Sequence, residues 1–480
     1  MTWYDELQPR ANSEAAIIVG AFAQHDIDIG GVRTEDGWTA FMYAEGQLLA
    51  REQYLEDIRR MLRDRGFWAE VIKRVIRDII LLRIWPLEND DKRAEGDDSA
   101  SASNEENPDR PADGNGEVTG RQYPPLLRLL DDIDTALGPG IATLNHVVTV
   151  AGYPTSCPAT EPQEVYDPTP YPPACPGNDG DGVRIYVADT GFVSATTSSC
   201  AWLTGVTGDP DPSVSGSAIL PYGGHGTFVA GVIRGMAPGA KIVVRCVFDI
   251  AGSALESEFV PKLHEGFGYG ADIFHVTVAS PTRKHLPLMA FEAWLKDLRQ
   301  RKGVVCLAPA GNNSRREPCW PAAFPDVIAV GALATDWRSR AYFSDFGGWV
   351  DVYAPGESLV NAFPSGEFTC QVQPYAGQIR TFYGTAQWSG TSFSTPIVTG
   401  LIAARMTRCG ESAQQAAAAL LAKARTQTIP RVGPVLLPCC DDEEDKCRGG
   451  GCGDCGRCGD GCSRCGQPRR RPCRTCGSDR

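Results

Sequence analysis

Five short apolar runs constrain this chain most. Residues 183–188, 241–248, 272–279, 303–308 and 327–332 are each of strand length, and none alternates strictly between apolar and polar side chains. A strand with one wet face alternates, whereas a strand covered on both faces need not. Helix-like segments lie between the runs, as at 254–267 and 287–301. Parallel strands need crossovers of that kind, so the pattern predicts an α/β domain: a parallel sheet in a three-layer arrangement with helices on either side. In such sheets the working residues gather at the carboxyl ends of the strands.

With 480 residues, the chain has room for more than this domain. At about 150 residues per domain, flanking units are expected. Residues 1–87 read as a small N-terminal α+β unit. Within it, 38–51 reads as two short strands turning near Glu45 and Gly46, and 53–64 and 69–84 carry Leu, Ile and Val at helical spacing. Residues 88–122 read as an acidic, disordered linker, in which, over 88–117, eleven acids face three bases among Ser, Asn, Pro and Gly. The main domain is placed at 123–437, opened by a short amphipathic helix at 126–137. Residues 438–480 form a Cys/Gly-rich tail with almost no apolar side chains and no means of building an ordinary core.

The formal net charge of −13 argues against a nucleic-acid partner, which would want a basic surface for phosphate. No stretch reaches the 18 or so apolar residues of a spanning helix, and no membrane association is expected. The start carries Asp5, Glu6 and Glu14 against Arg10, the wrong charge for a secretory leader, so a cytoplasmic location is expected.

Three polar segments punctuate the strand–helix pattern. The run 183–188 ends in Asp189-Thr190-Gly191. Gly223-Gly224 leads into His225-Gly226-Thr227 and an apolar helix. Ser389-Gly390-Thr391-Ser392 leads into Phe393-Ser394-Thr395-Pro396 and another. A serine hydroxyl is a weak nucleophile near neutral pH. An imidazole in hydrogen-bond reach can take its proton and later pass it to a leaving amine. A buried carboxylate fixes the imidazole's tautomer. Ser392 is assigned as nucleophile, His225 as general base and then acid, and Asp189 as orienter. The run 303–308 ends in Pro309-Ala310-Gly311-Asn312-Asn313, where Asn312 can donate its amide to an oxyanion beside the Ser392 N–H. Chain order excludes one rival. No histidine follows Ser392, so the serine–acid–histidine order of α/β-hydrolases is impossible with this nucleophile.

These segments, in the order Asp, His, Ser, closely resemble the subtilisin-like serine peptidases, or subtilases. So do Trp320-Pro321-Ala322-Ala323-Phe324-Pro325-Asp326, Phe343-Ser344 and Asp351-Val352-Tyr353-Ala354-Pro355-Gly356. The likeness covers roughly residues 180–410. It implies a subtilisin-like peptidase domain, a serine endopeptidase acting through an acyl-enzyme on polypeptide substrates, and no cofactor for catalysis. It also implies that 272–280 is an edge strand pairing with extended substrate, with Thr277, Val278 and Ala279 bordering the groove and facing Ala308, Pro309 and Ala310 across the main pocket. Ala279 stands where glycine is common in the family, and His275 where asparagine is common. A side chain buried under the sheet is the plainer reading of His275. No calcium ligands can be matched.

Ten of the 18 cysteines lie in the tail. The CxxC pairs Cys462, Cys465 and Cys473, Cys476 have the spacing of one zinc site. A disulfide knot and a thiol-rich disordered segment are the other readings. The N-terminal unit sits where many subtilases carry an inhibitory propeptide, and a partner-sensing domain fits its residues equally well. The rival to a constitutive peptidase is an interaction protein whose site stays silent until the N-terminal unit or the tail meets a regulatory partner.

Overall fold

The computed structural model describes residues 15–33, 39–87, 125–150 and 159–438, apart from 176, 249 and 373. The N-terminal unit runs β1 (Ile29–Arg33), β2 (Thr39–Arg51), α1 (Leu55–Arg63), β3 (Phe67–Ile76), β4 (Ile79–Pro86), α2 (Leu126–Leu137) and β5 (Ala142–Val150). Its strands pair antiparallel in the order β5-β2-β4-β3, with β1 also on β2. Leu48, Ala50, Ile80, Leu82 and Leu144 face α1 and α2, burying Ile58, Leu62, Leu129 and Ile133. The alternate residues Leu49, Ile79 and Leu81 join the main hydrophobic core instead. Both faces are therefore covered along β2 and β4, while β3 at the edge leaves Trp68, Val71 and Ile72 exposed.

That double coverage corrects two expectations. Residues 69–84 form the β3–β4 hairpin and not a helix. Val71, Ile72, Val75, Ile76, Ile79 and Ile80 are β-branched and favour extended backbone, and Arg77, at φ +50°, makes the turn between the strands. Residues 39–51 do not reverse at Gly46. They form one 13-residue strand whose register against β5 shifts between Tyr43 and Leu48, so the glycine, at φ +69°, serves a bulge and not a hairpin. The structure also groups α2 and β5 with the N-terminal unit, although the sequence places them at the head of the main domain. Their apolar side chains fill its core.

The main domain begins with β6 (Arg184–Asp189), β7 (Thr207–Gly208), the short strands β8 (Val214–Ser215) and β9 (Ala218–Ile219), and α3 (His225–Met236). It continues through β10 (Lys241–Cys246), β11 (Ser253–Leu255), α4 (Glu256–Tyr269), β12 (Ile273–Val276), β13 (Val278–Ala279) and α5 (Met289–Leu298). β14 (Val305–Pro309), β15 (Val327–Leu333) and β16 (Val352–Pro355) follow, and α6 (Thr391–Cys409) and α7 (Ala413–Thr426) close it. Seven strands form a sheet in the order β16-β15-β14-β12-β6-β10-β7, and every pair is parallel. The helices pack as α3 with α6, which also meets α7, and as a second pair, α4 with α5. Aromatic rings fill the space by the second pair, where Phe274 and Trp294 meet edge to face at 5.0 Å.

β5 joins the two units. Its end lies between two short strands of the main domain. Val147, Val148 and Thr149 pair antiparallel with Leu255, Ala254 and Ser253 of β11, while Thr149 and Val150 pair antiparallel with Ala279 and Val278 of β13. Around this seam, Arg51 meets Glu292 at 2.8 Å, Lys73 meets Glu258 at 2.5 Å, Arg77 meets Asp297 at 2.5 Å and the buried Arg283 meets Asp134 at 2.9 Å.

His146 of β5 is buried in the same seam, its ring edge-on to Phe41, and its Nε2 accepts the Arg283 N–H at 3.2 Å. Burial, helped by the Arg283 charge, holds its pKa down at about 3. The neutral ring is the form that folds into the seam. The stability it contributes is complete above the unfolded value of 6.5 and drains away as pH falls towards about 3. Urea unfolding between pH 7 and pH 4 should show stability falling by up to about 1.4 kcal/mol per pH unit from this group, and His146→Gln should flatten that slope.

Candidate active site

Asp189 is the last residue of β6, and His225 is the first of α3. His225 Nδ1 lies 2.8 Å from Asp189 Oδ1 and 3.0 Å from Oδ2, and both residues are fully buried. A carboxylate accepts only, so Nδ1 carries the proton and Nε2 is left with its lone pair. The close approach depends on Gly226. A Cβ there would lie 2.3 Å from the Gly191 carbonyl oxygen and 3.2 Å from Asp189 Cβ.

Ser392 stands in the first turn of α6, whose N-terminal N–H groups give that end a partial positive charge. The next residue, Phe393, packs its ring 5.2 Å from the His225 ring, and Trp388 stands edge-on to the imidazole at 5.7 Å. Ser392 Oγ and His225 Nε2 are both buried, and neither has a hydrogen-bond partner among the described residues. Two unpaired polar atoms at the starts of two packed helices are costly to keep buried. Catalytic hydrogen bonds are often long before substrate binds.

Asn312 is fully buried past the end of β14. Its Oδ1 accepts from the Thr391 N–H at 2.9 Å and from Thr391 Oγ1 at 2.9 Å. The backbone N–H can only donate, so it is the side-chain oxygen of Asn312 that faces Thr391. Asn312 is thus tied directly to the residue before Ser392.

Sequence reasoning missed Asp211. Its Oδ2 accepts the Gly224 N–H at 2.8 Å and Thr190 Oγ1 at 3.0 Å, and its Oδ1 accepts the Ser213 N–H at 2.9 Å. Thr190 Oγ1 in turn accepts the Gly226 N–H at 3.2 Å. The residues on both sides of His225 are therefore tied to the residue after Asp189. Burial pushes the Asp211 carboxyl up to about 6, against the pull of those donors. An acid between two prolines (Pro210 and Pro212) looks like an ordinary turn, and no sequence signal marks it.

Of the groove residues, Val278 and Ala279 make up β13 and pair with β5, and Thr277 Oγ1 donates to the Ala188 carbonyl at 2.9 Å. Ala308 and Pro309 end β14, and the Ala310 N–H donates to the Val330 carbonyl at 2.9 Å. His275 is buried beneath the sheet, as its plainer reading had it. Its Nδ1 lies 2.8 Å from Thr399 Oγ1, and burial lowers its pKa to about 3. Cys462, Cys465, Cys473 and Cys476 lie outside the described residues. Among the described residues no cluster of His, Cys, Asp and Glu could hold a metal ion, and no helix is long and apolar enough to cross a membrane.

A parallel sheet with an Asp–His pair at its carboxyl edge and a serine opening the helix beside it defines a class of serine peptidase. The Subtilase family model matches residues 180–432, more than half of the chain, and the protein belongs to that family. It is 27% identical over 244 residues to M-protease of Shouchella clausii (strain KSM-K16), covering 47% of this chain and 54% of that one. It is 27% identical over 244 residues to Subtilisin Savinase of Lederbergia lenta, covering 47% of this chain and 77% of that one. The chain thus spans about half the length of the first relative and three quarters of the second. A solved cold-adapted subtilisin-like serine proteinase is 24% identical, with a TM-score of 0.42 over 55% of this chain and 91% of that one. Members of this family need no cofactor for catalysis.

Asp211→Ala would strand three buried donors. It should cost at least about 2 kcal/mol of folding stability, read from denaturant midpoints at pH 7.5, where the native carboxylate is ionised.

Proposed function

We propose that the protein is a serine endopeptidase that cleaves polypeptides through an acyl-enzyme. The observation that carries this reading is the buried Asp189–His225 hydrogen bond at 2.8 Å, beside a serine on a helix N-terminus. Ser392 Oγ attacks the scissile carbonyl as His225 Nε2 takes its proton. Asp189 holds the ring's tautomer and stabilises the imidazolium, which then protonates the leaving amine. The Asn312 amide and the Ser392 N–H receive the oxyanion. Substrate lies as an added strand on β13, where backbone hydrogen bonds hold it and Thr277, Ala308, Pro309 and Ala310 border the pocket that selects its side chain.

β5 supports a second element of the reading. An antiparallel strand already lies on β13, and it belongs to the N-terminal unit. The unit therefore acts as an inhibitory propeptide that fills the groove until it is cut away or displaced by a partner. For the tail we keep Cys462, Cys465, Cys473 and Cys476 as zinc ligands in prospect. Elemental analysis of anaerobically purified protein that found no zinc would remove them.

Ser392→Ala should abolish both peptide hydrolysis and labelling by a fluorophosphonate, and unchanged labelling would overturn the assignment. Asn312→Ala should lower kcat by roughly 10²–10³, the loss known when subtilisin itself is deprived of such a donor. Intact-mass analysis should find the active chain cut between residues 151 and 158 and the Ser392→Ala chain uncut. An uncut wild-type chain with full activity on casein would refute inhibition by the N-terminal unit.

A further inference from the structure

Asp345 is a buried acid to which the chemistry above gives no task. It follows Phe343-Ser344 and is 1% exposed. The loop 311–315, which carries Asn312, folds around it. Asp345 Oδ1 accepts the Asn313 N–H at 2.8 Å and the Arg315 N–H at 2.8 Å, and Oδ2 accepts from Asn313 Nδ2 at 3.3 Å. The loop can close on the carboxylate only because residue 311 is glycine. Its φ is +112°, and a Cβ there would lie 2.3 Å from Asp345 Oδ2. On the opposite side, Asn312 Oδ1 and the Gly311 N–H are both held by Thr391.

The Asn312 side chain thus sits between two anchors. Thr391 fixes its oxygen, and Asp345 fixes the backbone from which it projects. We infer that Asp345 is a positioning residue for the oxyanion donor, aligning Asn312 by gathering the N–H groups that follow it. This rests on the reading of Asn312 given above. Three backbone hydrogen bonds hold the two loops together independently of the carboxylate. The Asp345 N–H donates to the Gly311 carbonyl at 2.9 Å, the Ser314 N–H to Phe343 at 2.7 Å and the Phe346 N–H to Arg315 at 2.9 Å. Cutting the side chain therefore leaves the loop attached but free to tilt. Even a small tilt matters, because an oxyanion donor must lie within about 0.5 Å of its place.

The test is a double-mutant cycle on the full chain, with kcat and KM measured on a peptide anilide for wild type, Asp345→Ala, Asn312→Ala and the double variant. Asp345→Ala should lower kcat about tenfold or more in wild type, with KM within about twofold, and by less than about twofold once Asn312 is alanine. A merely structural acid would lower the folded fraction by the same factor in both backgrounds. Equal factors, or no loss in wild type, would overturn the inference. If Asp345→Ala does not fold, Asp345→Asn serves the same cycle. It keeps one oxygen for the two backbone donors but sets an amide against Asn313 Nδ2, and it should lose about threefold in wild type only. If Asn312→Ala itself leaves kcat unchanged, the assignment of Asn312 fails, and this inference fails with it. The two failures are told apart by which single variant is silent.

Discussion

The hydrogen bond between His225 and Asp189 is the contact on which the site depends, because it requires two segments 36 residues apart to meet without water. β6 brings the carboxylate to its carboxyl end, and α3 brings the imidazole to its first residue. Gly226 lets the two backbones touch, and the Thr190–Asp211 pair locks them in that approach. α6 then packs against α3, with Phe393, the residue after Ser392, set 5.2 Å from the ring. The sheet is the rigid part of this assembly, and the chemistry sits at the ends of its elements, where side chains are held by backbone and still reach a ligand.

Much of this was legible in the sequence for a physical reason. Strand ends followed by small residues, and helices opened by glycine and a polar residue, are local signals, and Asp189, His225, Asn312 and Ser392 all carry them. Asp211 and Asp345 carry none. Each does its work by accepting N–H groups from segments distant in the chain, and a solitary acid in a turn says nothing about which donors converge on it. The β3–β4 hairpin was misread for a related reason. β4 is covered by α1 and α2 on one face and by the main domain on the other, so its run Ile79–Leu82 is buried without period-two alternation, and with the exposed Val71 and Ile72 of β3 its Leu, Ile and Val fall at helical spacing by chance. The sequence places β5 with the main domain because it follows the acidic linker, and the pairing of its end to β11 and β13 does lie there.

The N-terminal unit is held by three kinds of force. Apolar residues from one face of its sheet merge with the main core, ion pairs rim the seam, and β5 completes a backbone ladder. The exposed ion pairs contribute little each, so the seam rests on burial and strand pairing. His146 adds a condition to that burial, since the ring must enter uncharged.

β11 and β13 grip Thr149 from opposite sides. Anything that takes the place of β5 must offer both of its edges at once. β5 meets that demand because its last residues, 147–150, run on past β2 and leave both edges bare. A helix, or a strand flanked along its whole length, has no such overhang to offer, a sorting rule set by backbone geometry before any side chain is consulted.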